Sequence, residues 1–150
     1  QAGATLGIND ESITIEKCNE LQAVDITTDV HPGFPTDLQA QWIALMSVAN
    51  GSSHITDTIY NDRFSHVPEL NRLGAKITLK KNRAFVSGVK TLKGAPVMST
   101  DIRASASLVI AALIAKGRTD ISRIYHIDRG YEKIEEKFKS LGAEISRESE

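Results

Sequence analysis

Leu73-Gly74-Ala75-Lys76-Ile77 returns as Leu141-Gly142-Ala143-Glu144-Ile145, 68 positions later. In both copies the glycine follows a run with helical spacing and precedes an extended run. That is where a helix ends in a left-handed residue, a conformation glycine adopts without strain. Gln1-Ala2-Gly3-Ala4-Thr5-Leu6 resembles the same word, 71 positions before Gly74. Upstream words repeat as well, since Thr36-Asp37 opens one helical run and Thr100-Asp101 opens its counterpart. A period of roughly 65 to 70 residues exceeds that of common solenoids and leaves room for one small α/β layer per copy.

Working outward from these words, Thr36–Asn50 reads as a helix, with Thr36 and Gln39 as a capping box and Gly51 just past its end. His54–Tyr60 reads as a strand, and a second helical stretch runs from Asn61 to Leu73, its regular part starting near Pro68. Lys76–Lys80 and Ala84–Val89 read as strands joined by a turn at Lys81-Asn82-Arg83, and Pro96–Ser99 as a further extended piece. A third helix spans Asp101 to Lys116, then a strand Thr119–His126, then a helix Gly130–Leu141. Asp10–Glu16 and Leu21–Thr27 fall where Asn82–Ser87 and Leu92–Ser99 fall in the next copy. The division is therefore a tail of one unit at 1–35, a repeat unit at 36–99 and another at 100–150. Because the first copy begins inside a unit, the chain is expected to be a fragment of a longer polypeptide.

The 150 residues are the size of one domain, and 41% hydrophobic residues suffice for a core. With 18 basic and 19 acidic residues, no overall field favours nucleic acid or an anionic membrane surface. Any anion site has to be local. One cysteine, Cys18, cannot form an internal disulfide, and no run approaches the length of a membrane helix, which predicts a cytoplasmic setting. His31, His54, His66 and His126 have no metal-ligand spacing, so no metal and no cofactor are expected. Ser99, Ser105 and Ser107 lack a G-x-S-x-G elbow, and the Ala/Ser-rich helix uses small side chains for close packing. The basic hairpin Lys76, Lys80, Lys81 and Arg83 has no interleaved aromatic residues and reads as a solvated strand face.

Three arginines stand where a helix dipole opposes them: Arg63 at the start of the second helical stretch, Arg103 in the first turn of the third, and Arg129 just before the last. Each has a local acid, in Asp62-Arg63, Asp101-Ile102-Arg103 and Asp128-Arg129, so a local ion pair on a solvated loop is one reading. The other follows from the repeat: packed layers bring equivalent helix ends to one rim. Guanidinium groups and free helix N–H groups gathered there would bind a phosphorylated or carboxylated ligand. Asp37 has two readings too, as a favourable charge in a first helical turn or as a general base within reach of a substrate hydroxyl.

Gly33-Phe34-Pro35-Thr36-Asp37-Leu38-Gln39-Ala40-Gln41, Asn61-Asp62-Arg63-Phe64, Thr100-Asp101-Ile102-Arg103-Ala104-Ser105-Ala106-Ser107-Leu108 and the run Arg123–Glu132 (RIYHIDRGYE) closely resemble UDP-N-acetylglucosamine enolpyruvyl transferases, and the similarity extends over the whole chain. The resemblance implies an α/β fold of repeated βαβαββ units forming an inside-out α/β barrel, of which this chain holds an incomplete domain. It implies transfer of the enolpyruvyl group from phosphoenolpyruvate to the 3-hydroxyl of UDP-N-acetylglucosamine, in peptidoglycan synthesis. By the same resemblance Asp37 is the base at that hydroxyl, Arg63, Arg103 and Arg129 are active-site arginines, Arg129 engages phosphoenolpyruvate, and the backbone at Ile59 contacts the sugar nucleotide.

The family's reactive cysteine and its phosphoenolpyruvate-binding lysine lie outside these residues, and Cys18 does not match the reactive-cysteine loop. The chain alone is thus expected to be inactive and to need the missing N-terminal part as its partner. Three rival readings stand beside this one: the enolpyruvyl transferase of the shikimate pathway, a noncatalytic anion-binding module, and an RNA-processing enzyme built from similar units.

Overall fold

A computed structural model describes residues 1–16, 18 and 20–148. Its centre is a four-stranded sheet in the order β3 (Ile26–Thr27), β4 (Ser52–Thr56), β6 (Arg83–Ser87), β5 (Lys76–Lys80). The β3–β4 pair is parallel and the other two pairs are antiparallel. Two-residue periodicity makes this sheet one-sided. Ser53, Ile55, Ile77, Ala84 and Val86 face inward, while Ser52, His54, Lys76 and Lys80 face solvent. The hairpin turn lies at Lys81, which takes φ +56°.

Two smaller ribbons flank the sheet. β1 (Leu6–Ile8) pairs antiparallel with β2 (Ile13–Ile15), and β7 (Pro96–Met98) pairs parallel with β8 (Asp120–Ser122). The β7–β8 pair is parallel, like the β3–β4 pair one period earlier. Gly3, Gly74 and Gly142 take φ +96°, +89° and +93°, so the repeated glycine word marks the same left-handed corner three times.

Helices cover the inner face. α1 (Gln39–Met46) follows a 3-10 turn at Thr36–Leu38, α2 is Val67–Arg72, and α3 is Ile102–Ile114. Ile43, Met46, Ile55, Leu70, Leu73, Leu92 and Leu108 are essentially inaccessible and form one cluster between helices and sheet. Each contributes roughly 1.5–3 kcal/mol by leaving water. α3 packs against α1, and its Ala104, Ser105, Ala106 and Ser107 are all buried, with the serine hydroxyls returned to the carbonyls of Asp101 and Ala104. This is the close packing that the small side chains predicted.

Four local expectations change. No capping box forms: the Thr36 hydroxyl donates to Asp57 at 2.6 Å instead, and the Gln39 amide is buried without a partner. A tertiary carboxylate outcompetes the local cap. The strand expected at His54–Tyr60 stops at Thr56, because Asp57 bends the chain by accepting from the N–H groups of Ile59 and Tyr60. The second helical stretch becomes regular only at Val67, with Pro68 in its first turn as expected. Finally, the strand expected to reach His126 ends at Ser122, Tyr125–Asp128 forms a short helix α4, and the last helix, α5, is Ile134–Ser140. Arg123 takes φ +56°, which breaks the extended run.

Candidate active site

β3 and β4 run side by side in the same direction, with Thr27 opposite Thr56. The chain leaves both strands at their carboxyl ends, where open α/β layers present their functional loops. From β3 it passes through Thr28 to Asp37, and from β4 through Asp57 to Arg63. The N-terminus of α3 lies at the same rim and supplies Arg103.

Asp37 is the meeting point. Its Oδ1 accepts from Arg63 Nη1 at 2.8 Å and from Arg103 Nε at 2.5 Å, across 26 and 66 positions of sequence. The Arg103 hydrogen bond is the main reason its carboxyl is held below the ordinary value. Partial burial opposes it, and the charges of Arg103 and Arg63 reinforce it. Arg103 is correspondingly pushed up by Asp37. The Arg63 guanidinium carbon also lies over the Tyr60 ring, 5.0 Å from its centre, a cation–π contact. Asp37 remains 63% exposed while Arg63 is 20% exposed, so the carboxylate faces outward from a buttress of positive charge.

None of the three arginines pairs with its neighbouring acid. Asp101 caps α3, accepting from Arg103 N at 2.9 Å and Ala104 N at 3.0 Å, with Ser65 Oγ at 3.0 Å. Those N–H groups are consumed by the cap and are not available to an external anion. Asp128 is gripped by both terminal nitrogens of Arg147, at 2.7 and 3.0 Å, and Arg147 also reaches Glu135. Arg129 has no ion-pair partner among the described residues.

The dipole argument survives for Arg103 alone. Arg63 precedes α2 by four positions, and Arg129 follows α4 as its C-terminal cap, where a cation is favoured. Among the described residues Arg129 makes no side-chain hydrogen bond or ion pair with Asp37, Arg63 or Arg103; its neighbour Gly130 lies against Ile102, the first residue of α3. A Cβ at Gly130 would sit 3.1 Å from Ile102 Cγ2. Ile59 is on the β4 loop, its side chain exposed and its N–H given to Asp57 at 3.0 Å, which leaves its carbonyl as the available backbone group.

Asp57 is not singled out by the sequence, and Thr36 reads there only as a helix cap. Asp57 is fully buried and accepts from Thr28 Oγ1, Thr36 Oγ1, Ile59 N and Tyr60 N at 2.8, 2.6, 3.0 and 2.8 Å. Burial alone would raise its pKa, but those four donors outweigh it and the carboxyl stays below its ordinary value. The signal was its register: two residues after core-facing Ile55, an acid falls on the inward face, where it requires dedicated donors. Two open depressions flank the rim, about 250 Å³ beside Asp25, His54 and Arg83, and about 510 Å³ beside Asn61, Asp62 and Asn82. Among the described residues no helix is long and apolar enough to cross a membrane.

Comparison with known proteins follows the same lines. The chain is 59% identical over 147 residues to the UDP-N-acetylglucosamine 1-carboxyvinyltransferase of Pelodictyon phaeoclathratiforme, covering 98% of this chain, and 57% identical to that of Myxococcus xanthus, covering 99%. It spans 35% of the length of each of these relatives. Among solved structures, the enolpyruvyl transferase NikO from Streptomyces tendae superposes over 97% of this chain and 34% of its own, with TM-score 0.87 and 29% identity. EPSP synthase from Acinetobacter baumannii shares the fold at TM-score 0.57 and 17% identity, over 80% of this chain and 30% of its own. A family model described as EPSP synthase (3-phosphoshikimate 1-carboxyvinyltransferase) matches residues 1–138, and the chain belongs to that family.

Proposed function

We propose that this chain is the C-terminal part of a UDP-N-acetylglucosamine enolpyruvyl transferase. The full-length protein would move the enolpyruvyl group of phosphoenolpyruvate onto the sugar 3-hydroxyl, the first committed step of peptidoglycan synthesis, in the cytoplasm. The observation that carries the reading is the convergence of Arg63 and Arg103 on the exposed carboxylate of Asp37. High identity to relatives bearing that name supports the sugar nucleotide over 3-phosphoshikimate. Within the chain, residues 1–35 are the tail of one unit, 36–99 a second and 100–150 a third.

Asp37 accepts the hydroxyl proton as the sugar oxygen bonds to C2 of phosphoenolpyruvate and C3 takes up a proton, which gives a tetrahedral intermediate; loss of phosphate from C2 and of a proton from C3 then yields the enol ether. Asp37 is ionised at neutral pH, and its exposed edge leaves room for a ligand hydroxyl. Arg63 and Arg103 steady that carboxylate and the ligand anions through the reaction, while Arg129, without an acidic partner among the described residues, takes phosphoenolpyruvate. The Ile59 carbonyl holds the sugar nucleotide. The reactive cysteine and the lysine of the family belong to the N-terminal part, so the 150 residues alone have no transferase activity.

Calorimetric titration of UDP-N-acetylglucosamine into the full-length protein tests this. Binding that is lost in a folded Asp37→Ala variant is expected; a folded full-length protein that takes up no sugar nucleotide overturns the reading.

A further inference from the structure

Asp57 joins the two loops that carry the candidate site. Its main chain is fixed to the β5–β6 turn, with Asp57 N donating to the Asn82 carbonyl and Asn82 Nδ2 donating to the Asp57 carbonyl, both at 2.9 Å. From this anchor its two carboxylate oxygens divide the work. Oδ1 accepts from Thr28, Ile59 and Tyr60, and Oδ2 accepts from the Thr36 hydroxyl. Thr36 Oγ1 in turn accepts from Arg63 Nη1 at 3.1 Å, and that same nitrogen is 2.8 Å from Asp37 Oδ1.

A threonine hydroxyl has one proton to donate. While Asp57 is an acceptor, that proton points at Oδ2, and the oxygen's lone pairs remain for Arg63. We propose that Asp57 is a positioning residue: by fixing the direction of the Thr36 hydroxyl it holds Arg63 on Asp37, and by the Ile59 and Tyr60 N–H bonds it turns the Ile59 carbonyl outward. The proposal rests on the reading of Asp37 as the base and adds a residue that touches no substrate.

The isosteric Asp57→Asn change separates this role from loop stapling. An amide oxygen in the place of Oδ1 still receives Thr28, Ile59 and Tyr60. The amide nitrogen in the place of Oδ2 has to donate to Thr36, and it competes there with Arg63. The loop therefore keeps its path while Arg63 loses its aim. Misplacement by about 1 Å costs roughly 100-fold in well-oriented chemistry, so a loss of about 10- to 100-fold is expected.

The experiment uses the full-length protein with UDP-N-acetylglucosamine and phosphoenolpyruvate, and measures kcat and KM well below the unfolding midpoint of each variant. Asp57→Asn is expected to lower kcat by about 10- to 100-fold with KM for the sugar nucleotide within about 3-fold, because the Ile59 bond persists. Thr36→Val should lose a comparable factor, Thr36→Ser should restore most of it, and the Asp57→Asn/Thr36→Val pair should be no slower than the slower single variant. Unchanged kcat in folded Asp57→Asn, or single losses that multiply in the pair, overturns the proposal. Should Asp57→Asn fail to fold, Thr36→Val against Thr36→Ser decides, equal rates in the two refuting it. An unsubstituted full-length protein without transferase activity would instead refute the parent reading and this one together.

Discussion

Replacing Asp101 by alanine removes the cap of α3 and loosens the helix that aims Arg103. Three acceptances are lost at once: from Arg103 N at 2.9 Å, Ala104 N at 3.0 Å and Ser65 Oγ at 3.0 Å. An N-cap of this kind contributes about 1–2 kcal/mol, and an exposed hydroxyl bond adds about 0.5 kcal/mol. The first turn cannot relax to recover them, because Ala104 to Leu108 are buried against the core. The expected loss is therefore about 2 kcal/mol. With a urea slope of about 2 kcal/mol/M for a unit of this size, the midpoint of the transition that includes α3 falls by about 1 M. Asparagine caps nearly as well as aspartate, so Asp101→Asn should lose less than half as much. Urea titrations followed by far-UV circular dichroism on the full-length protein and both variants provide the comparison. If alanine leaves the midpoint unmoved, or asparagine is as harmful as alanine, the carboxylate is not acting as a cap.

Arg103→Gln should raise the Asp37 pKa toward the ordinary carboxylate value, read by carboxyl carbon NMR. In the unsubstituted protein the Arg103–Asp37 contribution is present above the unfolded-state pKa and is lost as pH falls through the depressed folded value, so the variant should show a weaker acid dependence in that window. His66 is buried and held down to about 4 by desolvation, with Asp101 opposing; stability should therefore fall as pH drops from about 6.5 toward 4, by on the order of 3 kcal/mol, and His66→Leu should flatten that slope in urea titrations. Gly88→Ala places a Cβ 1.7 Å from the Ala49 carbonyl oxygen, so the backbone has to move, and a loss above about 2 kcal/mol is expected in the same assay. Arg147→Met frees Asp128 and Glu135 from a partly exposed clamp; about 1 kcal/mol or less is expected globally, with faster amide exchange in α4 and α5 as the local sign.

What the sequence disclosed and what it hid divide along the range of the interactions involved. Gly74 and Gly142 could be read because a left-handed corner is settled by a few neighbouring residues, and Pro68 because its ring fixes φ wherever it stands. Thr36 and Gln39 could not, because the word for a capping box is local and its competitor, Asp57, lies 21 positions away. The helix limits at Asn61 and Gly130 and the strand limit at His126 failed too: the regular helices begin only at Val67 and Ile134, and the strand ends at Ser122, before the positive φ of Arg123.

The helix-dipole premise singled out three arginines, and the structure gathers two of them, Arg63 and Arg103, on Asp37. Only Arg103 stands against a helix dipole; Arg63 sits in a loop, and Arg129 caps a helix at the end that welcomes it. The repeat carried the inference instead. Thr36-Asp37 and Thr100-Asp101 are equivalent words, so Asp37 and Arg103 stand at equivalent helix starts in successive layers, and stacking the layers brings those starts to one rim. The 66-position contact between Asp37 and Arg103 is nearly one period of the repeat, the separation expected when neighbouring copies share a functional edge.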